Sequence, residues 1–152
     1  MNKYLILISL FHLVSNPILG NEGAEVAVVY NSLLKESKSV ADHYAKSRNV
    51  PVNNLIGLPL SKNHTISRAD FIKTLEEPLI KTLTKKKLLN GNTGTIRYLV
   101  MCWGVPFRVD KDNSIKSPEG IPASLHRNEA SVDSELSLLP QYNNRIERTG
   151  VI

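Results

Sequence analysis

Apolar positions along the chain fall into short dense runs separated by polar turns. Ala24 to Tyr30 reads as a first buried strand, and Asn31-Ser32 ends it. From Glu36 to Arg48, Val40, Tyr44, Ala41 and Ala45 share one face at helical spacing. Asn49-Val50-Pro51 stops that helix, because a proline disfavours the α region for the residue before it. Leu55 to Leu58 is a short second strand, closed by Pro59. Ser67 reads as an N-cap, with Asp70 three residues on as an acidic near-match to a capping box. The helix from Arg68 carries Phe71, Ile72, Leu75, Leu79, Ile80 and Leu83 at three- and four-residue intervals. Pro78 lies inside it and predicts a kink or break near Glu77. Asn90 to Gly94 is a turn, and Ile96 to Met101 is a third strand.

The third run is nearly continuous in apolar residues, as a strand is when both sheet faces are covered. Val100 is therefore expected at the centre of a two-sided core. The order β-α-β-α-β predicts an α/β fold: a three-layer, parallel half-sheet, caspase-like or flavodoxin-like in arrangement. After Val109 the pattern weakens. Asp110 to Gly120 is polar and turn-rich, and Ser131 to Leu139 can start a helix that Pro140 ends. Three strands make a thin sheet, so residues 21–152 are read as the incomplete N-terminal part of a longer protein.

Residues 1–20 follow a different pattern. Lys3 gives a positive start, Tyr4 to Val14 is apolar apart from Ser9 and His12, and Ser15-Asn16-Pro17 breaks it. This is the three-part pattern of a secretory signal peptide, with cleavage expected after Gly20. The apolar stretch is shorter than the ~20 residues a membrane span needs. The expected location is secreted, periplasmic or cell-envelope, with no membrane span after cleavage. The single cysteine cannot form an internal disulfide.

Composition changes this picture little. The 152 residues suit one domain, and a formal charge of +5 raises nucleic acid as a partner. The basic residues are scattered, however. Their densest run, Lys85-Lys86-Lys87, falls at a helix end where lysines complement the dipole, and no interleaved aromatics accompany it. Nucleic acid is thereby set aside.

Candidate chemistry concentrates beyond the third strand. In open α/β sheets, ligands bind outside the carboxyl ends of the strands. Cys102-Trp103-Gly104 falls there, and Asn31 ends the first strand at the same edge. Cys102 reads as a nucleophile if a base reaches it, or as a small buried hydrophobe. His126 could fold back to serve as that base; His43 on the first helix and His64 in the loop before the second are less well placed. Asp133 and Glu135 form a carboxylate pair suited to acid–base work, or simply to the acidic start of a helix. Arg108 could hold an anionic group beside them. Asp110, Asp112 and Asn113 superficially suggest a calcium loop, but that loop's glycine and terminal glutamate are missing. Asn63-His64-Thr65 fits a glycosylation sequon. No metal and no cofactor are implied.

Taken as an ordered set, Val28–Asn31, Ser39–Pro51, Ile96–Val100, Gly104–Pro106 and Ser131–Leu136 resemble a family of uncharacterised exported bacterial proteins. The resemblance covers almost the whole mature chain and implies export but no established activity. More distantly, the chain is similar to the N-terminal half of the caspase-like hydrolases of legumain and gingipain type. In those enzymes the third strand leads into a histidine–glycine pair that supplies the base; here the position reads Cys102-Trp103-Gly104. Two readings follow. The first is a hydrolase-like ligand site at the strand carboxyl ends, with Cys102, Asp133 and Glu135 catalytic and Asn31 and Arg108 binding. The second is a non-catalytic extracellular binding or surface module whose loops hold a peptide or a carbohydrate.

Overall fold

Val28 and its neighbours Ala27 and Val29 are fully buried, although adjacent strand residues point to opposite faces. Both faces of β1 (Val26–Asn31) must therefore be covered. The computed structural model, which describes residues 22–90, 93–115, 119–122 and 126–139, shows how. β1 lies between β2 (Leu55–Leu58) and β6 (Tyr98–Met101), parallel to both, with Val28 in register with Leu55 and with Val100. The helix α1 (Lys35–Ser47) packs Ala41 and Ala45 onto Val28, Val50 and Cys102 on one face. The helical run from Arg68 to Lys85 packs Phe71, Leu75, Leu79 and Leu83 onto Ala27, Val29, Ile56 and Leu58 on the other. The fold is α/β with a small parallel sheet. The expected signal peptide, Pro140 and the tail lie outside the described residues.

β1, not the third strand, is central. Among the described residues β6 lies at the edge of the sheet, and Val100 is half-buried rather than at the heart of the core. The helical face of α1 also differs from expectation. Val40 is 45% exposed, and the buried stripe is Ser37, Ala41 and Ala45. These side chains are small, which lets the helix lie close to the sheet, and Ser37 Oγ accepts from the Asn31 amide at 3.0 Å.

The long helix meets Pro78 without breaking. It starts at α2 (Arg68–Asp70), capped by Ser67, whose Oγ accepts from the Asp70 amide. It then opens into a π-helical stretch at Phe71–Glu76 and resumes as α3 (Glu77–Lys85), helical throughout. The Glu77 amide donates to Ile72 O, five residues back. Proline has no N–H and its ring crowds the carbonyl four residues earlier. The wider turn just before Pro78 changes the bonding register where that misfit falls.

Both long helices end in the same way. Asn49 and Lys87 adopt left-handed conformations, φ 53° and 59°, and Val50 and Leu88 then donate back to Ala45 O and Leu83 O. This is the Schellman pattern. Lys86, within the basic run, donates through Nζ to Asn53 O and Leu55 O.

Several short elements lie off the main sheet. β4 (Leu89–Asn90) and β5 (Thr93–Gly94) pair antiparallel before β6. β3 (Thr65–Ile66) and β7 (Arg108–Val109) pair in parallel, and β7 pairs antiparallel with β8 (Ala130–Ser131). The last helix, α4 (Val132–Leu136), is capped by Ser131, as its sequence predicts. Val109, Val132 and Leu136 join the same core as Leu75 and Leu79.

A buried ion pair locks this second layer to the first. Arg68 Nη1 donates to Glu135 Oε1 at 2.7 Å, with side chains 7% and 9% exposed. Arg68 Nη2 also donates to Asn128 O, and Asn128 exchanges bonds with the Asp112 backbone. Removing one partner of such a pair leaves the other charge in a dry setting, at a cost of about 3 kcal/mol or more. Arg68→Ala should lower the urea-unfolding free energy by about that amount, and Arg68→Ala with Glu135→Leu should recover much of it. A loss below about 0.5 kcal/mol for the single variant, as for an exposed pair, would show that water reaches this contact.

Candidate ligand-binding site

The two crossovers of the sheet leave in opposite directions. β1 leads through α1 to β2 on one side, and β2 leads through α3 to β6 beyond β1. The topological switch point therefore lies between β1 and β6. The crevice that such a switch creates opens beyond the carboxyl ends of the strands. A hollow of about 520 Å³ occupies this position.

Its walls come from three loops. The loop after β1 contributes Leu34, and the loop after β2 contributes Lys62, Asn63 and His64. The loop after β6 contributes Cys102 through Phe107, and Asp133 of α4 closes the remaining side. Gly104 has φ +88°, and a Cβ built there would stand 2.7 Å from Leu34 Cδ1. Only glycine lets this loop turn so close to the start of α1. The turn leaves Trp103 and Phe107 on the rim, 61% and 60% exposed. His64 lies against Phe107, with ring centroids 5.4 Å apart.

Asn31 holds these loops in place from beneath. It is fully buried at the end of β1. Its Nδ2 donates to Leu60 O, Ser61 O and Gly104 O at 3.1, 3.2 and 2.9 Å. Its Oδ1 accepts from the Leu33 and Leu60 amides. The amide thus joins the ends of all three strands, and its bonding capacity is taken up within the chain.

The residues singled out in the sequence are distributed around this centre. Cys102 and Asp133 line the hollow together. Arg108 lies on β7, exposed, in register with Ser131, two residues before Asp133. Glu135 is buried and forms an ion pair with Arg68. His126 Nε2 contacts Ile121 O and does not line the hollow; His64 does. Asp112, read as part of a calcium-like loop, instead accepts from the Ser114 hydroxyl and amide, which holds its carboxyl below the usual range.

Arg68 is not singled out from the sequence, and His64 is set behind His126. Arg68 did carry a signal. A cation in the first turn of a helix opposes the dipole, so it needs a partner elsewhere. His64 follows β2 at the same sheet edge as Cys102, but its approach to the hollow depends on the path of a loop that β3 and β7 direct.

Cys102 is buried among Val28, Ala41, Ala45 and Val50. Burial pushes its thiol above the ordinary value. Among the described residues, no side chain is hydrogen-bonded to its Sγ, and no three His, Cys, Asp or Glu side chains gather as ligands for a metal. Nor is any helix among the described residues long and apolar enough to cross a membrane. Comparison with protein-family models, curated proteins and solved structures returns no match.

The raised thiol gives a pH expectation. The folded state holds this proton more tightly than the unfolded chain does. The stability tied to it is fully present below the unfolded thiol's pKa and is lost as pH rises through the folded one. Alkylation of Cys102 by iodoacetamide should therefore be slow at neutral pH and accelerate only above the ordinary thiol range. Rapid labelling of the folded protein at neutral pH would contradict the burial.

Proposed function

We propose that this chain is a non-catalytic binding domain of an exported protein, and that its ligand is seated in the hollow at the β1–β6 switch point. The observation that carries this reading is the pair of exposed aromatics, Trp103 and Phe107, on the rim of that hollow. Large apolar groups left in water beside a concavity are the usual mark of an interaction site. Their flat faces suit a pyranose ring or a peptide side chain. Asn63, Asp133 and Lys62 supply a donor-acceptor amide, an acceptor and a cation around them. In this reading Asn31 and Gly104 position the rim, and Arg108 lies just outside it. The strand order β2-β1-β6 corresponds to the 2-1-3 start of a flavodoxin-like sheet, which supports a half-sheet of that arrangement.

A hydrolase-like reading rests on a different observation: Cys102, His64 and Asp133 line one hollow. It requires Cys102 to be a thiolate near neutral pH. The burial of the thiol weighs against that, and for this reason the binding reading stands first.

Trp103 is the only tryptophan, so its fluorescence reports on the rim alone. Titration with a panel of oligosaccharides and peptides should shift its emission on binding. Trp103→Ala should then lose about tenfold or more in affinity, roughly 1.4 kcal/mol, with an unchanged melting temperature. A Trp103→Ala protein that binds as tightly as the parent would overturn the proposal. Export is tested separately. The protein recovered from its host should begin close to Asn21 by mass spectrometry, and a chain still beginning at Met1 would remove the leader from the reading.

A further inference from the structure

The small second sheet gives the hollow two walls of opposite charge. β3 and β7 run parallel and β8 runs antiparallel to β7, so the starts of β3 and β7 and the end of β8 lie at one end of this sheet. Thr65, Arg108 and Ser131 stand in one row across the three strands. The next row is His64, Phe107 and Val132: the Phe107 amide donates to His64 O at 3.0 Å, and the Val132 amide donates to Phe107 O at 2.9 Å. The chain enters this row from Lys62 on one side and leaves it at Asp133 on the other. Both residues line the hollow, as does Phe107 between them.

Neighbouring strands stand about 4.8 Å apart, so the row spans about 10 Å from β3 to β8. Lys62 and Asp133 are both exposed, and among the described residues neither is in an ion pair. A ligand that covers them takes water from both charges, and a charge that loses its water needs a partner of opposite sign. A neutral sugar supplies no such partner to either. A lone anion satisfies Lys62 but faces Asp133, and a lone cation does the reverse. A free amino acid carries both charges, but a single carbon separates them. The ligand that fits has opposite charges at its two ends and an apolar group between them to meet Trp103 and Phe107.

We propose that the hollow takes a short peptide with both termini free. Its carboxylate meets the Lys62 ammonium, its ammonium meets the Asp133 carboxylate, and its middle side chain lies against Trp103 and Phe107. This rests on the binding reading above and narrows it to one class of ligand. An extended chain advances about 3.3–3.6 Å per residue, so about three residues cover the row. A hollow of about 520 Å³ is of the size that takes small ligands. Such a site reads two chain ends and their spacing rather than a sequence. It therefore selects fragments left by peptide-bond hydrolysis over intact polypeptides.

Trp103 emission, titrated with the tripeptide Ala-Phe-Ala, should shift on binding. Acetylating the peptide's amine should weaken binding about tenfold or more, and so should amidating its carboxylate, since each removes one charge-assisted contact. Lys62→Gln should bind the amidated and the free-acid peptide equally while still discriminating against acetylation. Asp133→Asn should show the reverse. Ala-Phe-Ala held within a longer peptide blocked at both ends should not bind. Peptides that bind equally well blocked and free overturn the proposal and leave the binding reading standing. A response to neutral oligosaccharides with none to Ala-Phe-Ala does the same. No response to any peptide or saccharide overturns both. Variants that discriminate as the unaltered protein does place the charge contacts elsewhere and overturn the proposal too. The comparison of blocked and free peptides uses the unaltered protein, so poor folding of a variant would not remove the test.

Discussion

One carboxamide holds the carboxyl edge of this protein together. Parallel strands all finish at the same edge, and the loops beyond them diverge toward different helices. Something has to hold those loops at a fixed spacing, and Asn31 does so with bonds to Leu60, Ser61 and Gly104. Aspartate would supply no donor for those carbonyls, and leucine would leave several buried polar groups without partners. The amino edge has a counterpart. Asn54 Nδ2 donates to Ala24 O and Val26 O, tying the start of β2 to the start of β1. The sheet is thus pinned at both ends by buried asparagines, and the helices supply the apolar cover between them.

That arrangement separates support from contact. Asn31 and Gly104 decide where the rim stands, while Trp103, Phe107 and Asp133 meet whatever enters the hollow. Cys102 belongs partly to each group, since it lines the hollow and also packs under α1. Its chemistry follows from the second role: the surroundings that bury the sulfur also keep its proton on.

The larger elements were legible because their periods are long enough to count. β2, the two long helices and the Ser131 cap fall where the sequence places them. Strand order was not legible. A run such as Tyr98 to Met101 is equally apolar whether it lies at the centre or at an edge, and only pairing distinguishes the two. β3, β7 and β8 are two residues each, too short for any alternation to show. The Arg68–Glu135 contact joins residues 67 positions apart and leaves no local trace beyond an arginine in an unfavourable helical turn. The candidate site was half legible. Cys102 and Trp103 follow a strand that could be read, whereas His64 reaches the hollow through a loop whose path depends on β3 and β7.

The wide turn at Phe71–Glu76 also sets a phase. In a regular α-helix, residues four apart step about 40° around the axis, so a stripe built on that interval spirals off the surface it covers. Phe71, Leu75, Leu79 and Leu83 are spaced in that way, yet all four stay against the sheet. A π turn takes more residues per revolution and winds the stripe back. The segment therefore acts as a vernier between the helical repeat and the repeat of the sequence. Its length in residues matters as much as its composition, and a single deletion there would rotate everything beyond it relative to the strands.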